Sequence, residues 1–316
     1  MSWLIDPLTA DFVVRAAVGG LLVAAICGVV GTWVVIRGMA FLGEAIGHGM
    51  LPGVALASLL GFPLVAGAAV SAIAMSTAIG LLQRRGRLSY DTSIGLLFVG
   101  MLSLGVIIVS HSRTFATDAT AMLFGDILAI GAGDIAILAV ALAATLVVAG
   151  VLHRAFVVAA FDGRIATTLG LAPQVAHGAL VGLVTLAVVA SYQAVGSLLV
   201  VGLLIAPAVA ARVWADRIPA IMALAAAVGA VAVLTGLLLS WHFGTAAGAS
   251  IALSAIVLAA ASSLARTAAE RLRREATPHD SIRPQTPPES TSPAAPFAQT
   301  TSRAPASPVS SILERS

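Results

Sequence analysis

Long apolar runs separated by short polar connections make up most of this 316-residue chain. A helix that crosses a lipid bilayer needs about 20 apolar residues, and nine runs meet or approach that length. They are residues 13–36, 39–60, 64–82, 93–110, 131–152, 174–191, 195–213, 219–240 and 246–265. The pattern predicts an all-α, polytopic membrane protein with about nine transmembrane helices.

The composition supports a chain that lies in lipid. Apolar residues make up 59% of the sequence and charged residues 10%, whereas about 25% of a soluble domain is charged. All 17 basic residues are arginines, and they avoid the long apolar runs, so the high pI reflects basic connections. We therefore expect the lipid bilayer, and no nucleic acid, as a partner. The single cysteine, Cys27, excludes an internal disulfide and a thiolate metal cluster.

The arginines also predict an orientation. When the connections are numbered alternately, one side carries most of the arginines and the other carries Arg15 and Arg113. By the positive-inside rule the arginine-rich side is cytoplasmic, so the N-terminus lies outside and the C-terminus inside. The arginines before the C-terminal region that define the cytoplasmic side are Arg37, Arg84, Arg85, Arg87, Arg154, Arg164, Arg212 and Arg217.

The composition changes abruptly after Arg274. Eight of the fourteen prolines lie between Pro278 and Pro308, among serine and threonine, and such a segment cannot bury enough apolar surface to fold. We therefore predict a transmembrane domain at 1–268. We predict a cytoplasmic tail at 269–316, first basic and then disordered.

The second apolar run contains the residues most suited to chemistry. Glu44 is the only glutamate before residue 270, and His48 follows four residues later on the same helical face. Counted from the cytoplasmic end, His48 lies about 15 Å deep, where a carboxylate is costly unless it faces a bundle interior or an aqueous path. Imidazole and carboxylate both bind zinc and manganese, so the pair predicts half of a metal site on a transport path.

Neighbouring residues of the same run fit this interpretation. Pro52 cannot donate to the carbonyl of His48 and should kink the helix there, while Gly43 and Gly47 would let another helix approach closely. Two ligands do not complete a metal site, and a symmetric homodimer would supply two more. The alternative is that Glu44 and His48 bond to each other and only fix the packing.

The predicted cytoplasmic connection between the fifth and sixth runs is short and amphipathic. Its apolar ridge could dock into a groove on a cytoplasmic partner, or the connection could lie on the lipid headgroups. The residues of this connection that we assign to contact with such a partner are Phe161, Asp162, Arg164, Ile165, Leu169 and Gly170.

Other ionisable residues give weaker indications. Five aspartates on the outer side would form a mildly acidic entrance or are solvated helix ends. His111 and His242 are transient ligands or interfacial residues, and His153 and His177 are structural. Pro207 should kink the seventh helix. The five aspartates are Asp6, Asp11, Asp118, Asp126 and Asp134.

The ordered motifs resemble the permease subunits of zinc and manganese ABC importers, the ABC-3 family. The resemblance covers nearly all of residues 10–265 and is carried by four segments: 37–53, 91–98, 161–171 and 196–207. It implies that the acid of the second helix and His48 contact the metal and that 161–171 couples to the ATPase. Glu44 departs from the aspartate more usual in the family, and the tail has no counterpart there.

We therefore expect a non-enzymatic permease in the plasma membrane with no tightly bound cofactor. It would receive Zn²⁺ or Mn²⁺ from an extracytoplasmic metal-binding protein and would pair with a second copy of itself. The chain has no phosphate loop of the Gly-x-x-x-x-Gly-Lys-Ser/Thr type, so ATP would bind to a separate cytoplasmic ATPase. The alternatives are an ABC permease for a siderophore or cobalamin-type chelate and a proton-coupled metal transporter. A membrane anchor would leave Glu44 and His48 unexplained.

Overall fold

The computed structural model describes residues 10–84, 89–110, 125–161 and 172–276. These residues form ten α-helices and one turn of 3-10 helix, Ile127–Ala129, which precedes the sixth helix. The α-helices are α1 (Asp11–Ile36), α2 (Ala40–Gly49), α3 (Leu51–Leu60), α4 (Leu64–Arg84), α5 (Tyr90–Ser110), α6 (Ala132–Val151), α7 (His153–Phe161), α8 (Pro173–Arg212), α9 (Ile218–Phe243) and α10 (Ala247–Ala276).

Nine stretches of the described helices are long and apolar enough to cross a membrane. The helices α2 and α3 together form one of them, and α8 contains two, Pro173–Tyr192 and Ala194–Arg212. This confirms the predicted all-α polytopic architecture. The orientation of the termini stays a prediction.

Helix α8 has a backbone break at Gly196, near the start of its second span. This residue has φ +72° and ψ 164°, a conformation that side-chain-bearing residues rarely adopt. Gly125, which also has a positive φ, lies against the backbone at Val195 and Gly196 with no room for a Cβ. The residues just before the 3-10 turn therefore pack directly onto the break.

The centre of the bundle is formed by α1 and the second span of α8. In the most apolar stretches of these two spans 67% and 72% of the residues are buried, against 22% in both α5 and α6. The outer helices expose large apolar side chains such as Leu96, Val140 and Leu253. Lipid tails can solvate these side chains, so the exposure carries no penalty in a membrane.

Close backbone contacts hold the central helices together. A Cβ at Gly31 of α1 would meet the backbone carbonyl of Leu204 in α8, and one at Gly28 would meet the backbone of α9 at Ala226. Gly236 of α9 makes the corresponding approach to Ile251 of α10. In lipid there is little hydrophobic drive between helices, so small residues that permit close van der Waals packing provide much of the association.

The short helix α7 is fastened to α1 by aromatic contacts. Trp33 is fully buried, and its ring packs edge-on against Phe156 at 5.3 Å and His153 at 5.8 Å between centroids. Phe161 ends α7. The coupling residues after Phe161 lie outside the described residues, so the coupling role stays a prediction; they are Asp162, Arg164, Ile165, Leu169 and Gly170.

The chain divides into two units, Met1–Arg273 and Arg274–Ser316. Helix α10 ends at Ala276, and the rest of the predicted tail lies outside the described residues. The predicted domain boundary at residue 268 stays a prediction.

Substitution of Gly31 by alanine tests the central contact. A Cβ there would press on a backbone carbonyl of α8, which cannot rotate away as a side chain can, so we expect a loss of about 1–3 kcal/mol in unfolding free energy. The matched control is Gly100→Ala in α5, where a Cβ meets nothing within 4 Å. We expect the control to be neutral or stabilising by up to about 1 kcal/mol. Unfolding of both purified variants in detergent measures the difference, and equal stabilities would contradict the packing described here.

Candidate metal-transport site

Glu44 and His48 lie side by side on α2, on the face predicted from their spacing. The Nδ1 atom of His48 is 3.2 Å from Oε1 of Glu44 and 3.2 Å from the backbone carbonyl oxygen of Glu44. A backbone carbonyl oxygen and the oxygen of an ionised carboxylate are both acceptors only. Hydrogen bonds to these two atoms therefore require the proton of the ring to be on Nδ1.

This tautomer leaves the other ring nitrogen, Nε2, as a lone-pair donor for a metal. Histidines that bind metals generally donate their other N–H to a carboxylate or a backbone carbonyl, which fixes the ring and raises its basicity. His48 makes both kinds of contact. The second carboxylate oxygen of Glu44 adds a potential oxygen ligand, so the pair presents one nitrogen and one oxygen donor.

An aromatic side chain of α5 holds the imidazole from the other side. The ring of Phe98 packs edge-on against His48, with 5.5 Å between centroids, and against Phe41 at 5.7 Å. The ring of Phe98 therefore restricts the rotamer of His48 without competing for the metal. Sequence reasoning did not identify Phe98 as a site residue, because nothing in a phenylalanine within an apolar run indicates which helix it faces.

The glycines of α2 place the site against the centre of the bundle. A Cβ at Gly47 would lie 3.4 Å from Cβ of Ser197, and one at Gly43 would lie 2.9 Å from a methyl group of Leu204. Both neighbours belong to the second span of α8. The expected close approach of another helix at these glycines is therefore present, and it anchors the side of α2 adjacent to the Glu44 and His48 face.

The span that carries the site is interrupted at Met50, between α2 and α3. Pro52 is the second residue of α3, where its missing N–H is best tolerated. The carbonyl of Gly49 accepts a hydrogen bond of 2.8 Å from the hydroxyl of Ser71 in α4. Ser71 was not singled out from the sequence, although a buried hydroxyl in an apolar run must find an acceptor.

The site lies on the open stripe of α2. We use this name for Phe41, Glu44 and His48. Phe41 is 44% exposed, and the side chains of Glu44 and His48 are 29% and 19% exposed, while their neighbours Leu42, Ala45 and Ile46 are fully buried. Within the described ranges no group of three or more His, Cys, Asp or Glu side chains could hold a metal ion. One copy of the described chain therefore supplies two donors on an accessible face.

The other candidate residues lie apart from this pair. Asp134 accepts a hydrogen bond of 3.0 Å from the backbone N–H of Gly131 and so caps α6, while Asp11 lies in the first turn of α1. His242 lies in the last turn of α9. Pro207 lies inside the second span of α8, whose recorded break is at Gly196, so a kink at Pro207 stays a prediction. Asp126 precedes the 3-10 turn, and Asp6, Asp118 and His111 lie outside the described residues.

Comparison with known proteins identifies similar chains over most of this length. The ABC 3 transport family matches residues 9–266. The manganese transport system membrane protein MntC of Listeria innocua is 35% identical over 253 residues, which are 78% of this chain and 88% of that protein. The chelated iron transport system membrane protein YfeD of Yersinia pestis is 34% identical over 250 residues, 79% of this chain and 84% of that protein.

A solved structure shows the same similarity in three dimensions. PsaBC from Streptococcus pneumoniae, in complex with Fab, contains a chain that matches with a TM-score of 0.73 and 33% sequence identity. The match covers 82% of this chain and 94% of that chain. The fold described above therefore extends to a relative of similar length.

Direct metal binding tests the donor pair. We expect Glu44→Gln and His48→Ala each to weaken the binding of Mn²⁺ and Zn²⁺ to the purified protein by at least about tenfold, because each removes one of the two donors. The matched control is Glu270→Gln, since Glu270 forms the other described ion pair at i,i+4 spacing, 2.9 Å from Arg266. Titration calorimetry in detergent measures the affinities. Unchanged affinity in both site variants would show that Glu44 and His48 only pack.

Proposed function

This chain belongs to the ABC 3 transport family, and we therefore propose that it is the membrane permease subunit of an ABC importer for divalent metal ions. It is a multi-pass protein of the plasma membrane. The observation that carries the proposal is the contact between Glu44 and His48 on the open stripe of α2. Transporters commonly bind their substrate near the bilayer midplane, and this pair lies within the span Ala40–Leu60.

The chemistry of the pair suits an ion in transit. A carboxylate and an imidazole offer an oxygen and a nitrogen donor, a set that suits Mn²⁺ and Zn²⁺. The positive charge of the ion would compensate the negative charge of Glu44 during passage, and His48 compensates part of it when the ion is absent. Two donors alone would hold an ion weakly, which favours release.

We propose that the functional unit contains two copies of the chain. A two-fold axis near the open stripe would bring two carboxylates and two imidazoles together and give a four-ligand shell. Support for this arrangement comes from the exposure of Phe41, Glu44 and His48 beside fully buried neighbours. A polar pair inside a membrane protein is expected to face protein or water and not lipid.

We propose that energy and substrate come from separate chains. A cytoplasmic ATPase would bind ATP and contact the connection 161–171, and an extracytoplasmic binding protein would deliver the ion. Support comes from the family membership and from the absence of a phosphate loop in the whole sequence. We propose the orientation that such partners require, with the N-terminus outside and the arginine-rich connections in the cytoplasm.

Manganese is the first ion to test. A nitrogen and oxygen donor set binds Zn²⁺ more tightly than Mn²⁺ by intrinsic affinity, so the donor set alone does not select manganese. The name of the Listeria relative nevertheless points to manganese transport. Glu44 is one methylene longer than the aspartate usual in the family, so we propose that its site size differs from that of relatives.

A permease for a metal chelate is the second candidate, because the Yersinia relative is named for chelated iron. A chelate carries its own ligands and would not need direct coordination by Glu44 and His48. The two candidates therefore differ in what the site variants do to transport.

Uptake of radioactive Mn²⁺ and Zn²⁺ by cells tests the proposal. Cells would carry the wild type, Glu44→Gln, His48→Ala or Glu270→Gln, together with the ATPase and the binding protein. We expect both site variants to fall to the uptake of cells that lack the permease, because the path loses a ligand, and Glu270→Gln to match the wild type. Membrane levels of each variant serve as the expression control.

The outcomes separate the candidates. Normal Mn²⁺ and Zn²⁺ uptake by both site variants contradicts the metal path. Uptake that persists without any ATPase contradicts the ABC mechanism and favours a proton-coupled transporter. Uptake of an iron chelate, with no uptake of the free ions, favours the chelate permease.

A further inference from the structure

A polar cavity lies away from the open stripe, where the ends of four helices meet. Its volume is about 390 Å³. Arg37 follows the last residue of α1, Tyr90 is the first residue of α5, and His177 lies in the first turns of α8. Small apolar residues of α7 complete the wall. The functional proposal above makes no use of this cavity.

The cavity gathers hydrogen-bond donors without acceptors. The Nε atom of Arg37 and the hydroxyl of Tyr90 are both buried, and neither has a hydrogen-bond partner among the residues that the structure describes. Arg37 forms no ion pair within the described residues, although Asp91 follows Tyr90 directly and is exposed. The ring of His177 packs edge-on against Tyr90, with 5.6 Å between centroids. Buried donors of this kind are costly when they remain unpaired.

The electrostatics of the cavity favour a negative charge. Burial lowers the pKa of Arg37, and the neighbouring Tyr90 opposes this shift only in part. The N-terminal end of α5 lies at Tyr90, and the positive end of a helix dipole favours a negative charge there. An anion in the cavity would satisfy all of these groups together.

We infer that this cavity binds a phosphate group, presented either by a phospholipid headgroup or by free phosphate. Arginine offers a planar fork of N–H donors that matches phosphate oxygens two at a time. Tyr90 and His177 add donors on other helices, so the set surrounds a tetrahedral anion better than the flat, two-oxygen carboxylate. The cavity opens among the ends of the arginine-rich connections, where headgroups of a bilayer would lie.

A bound phosphate would join elements that are distant in sequence. It would bridge the end of α1, the start of α5 and the start of α8 beside α7, the helix that leads into residues 162–171. We therefore expect the ligand to stabilise the fold, and the stabilisation to depend on Arg37 and Tyr90.

Thermal unfolding of the delipidated full-length protein in detergent tests this site. The probes are dioleoylphosphatidylglycerol, dioleoylglycerol with the same chains but no phosphate, and inorganic phosphate. The variants are Arg37→Gln and Tyr90→Phe, and the control is Arg217→Gln, an exposed arginine before α9. We expect phosphatidylglycerol to raise the unfolding temperature of the wild type and the control, and dioleoylglycerol to leave it unchanged.

The affinity for the phosphate probe should fall at least about tenfold in Arg37→Gln, the loss expected for a hydrogen bond to a charged group. Tyr90→Phe should weaken binding several-fold and keeps the ring that contacts His177, so it preserves the test if Arg37→Gln fails to fold. A shift with inorganic phosphate identifies free phosphate as a ligand, and a shift with the lipid alone identifies the headgroup. The inference is overturned if neither probe shifts the wild type, or if the Arg37 and Tyr90 variants respond like Arg217→Gln.

Discussion

A carboxylate inside the hydrocarbon layer has to be compensated by the protein, and the arrangement around Glu44 follows from this requirement. The imidazole of His48 provides the nearest compensation, at 3.2 Å. Its ring is held in turn by Phe98 of α5, and an adjacent side of α2 is held by the approach of Gly43 and Gly47 to α8. The pair is therefore positioned by two neighbouring helices, although its two members lie one turn apart on a single helix.

The same solvent explains how the bundle is assembled. Lipid supplies little hydrophobic drive between helices, so the central helices associate where their backbones approach most closely, as at Gly31 and Leu204. Irregular backbone at membrane depth is tolerated only where protein or water covers it. The interruption at Met50 is partly covered by the hydroxyl of Ser71, and the break at Gly196 is covered by the backbone at Gly125.

The nine spans could be predicted because lipid imposes a minimum length of apolar sequence on each crossing. The proximity of Glu44 and His48 could also be predicted, since it depends only on helical periodicity. The position of Phe98 could not, because that contact joins residues 50 positions apart and depends on how two apolar helices pack. Helix α7 was missed as a separate element for a related reason: nine residues are too few for a span, and its anchor is the distant Trp33.

The position of Arg37 connects the proposed phosphate site with the metal site. In the sequence it marks a connection, and together with other arginines it indicates the cytoplasmic side. In the fold it is half-buried, forms no ion pair with any residue that the structure describes, and lies only seven residues before Glu44. The positive charge of Arg37, three residues before α2, would repel a metal ion at the Glu44–His48 pair, and this repulsion is strongest where water is excluded. A phosphate group in the Arg37 cavity would cancel that charge and leave the negative carboxylate of Glu44 to govern the path. The proposed phosphate site consists of donors and the metal site consists of acceptors. The two sites would then act together, one before the start of α2 and the other on it.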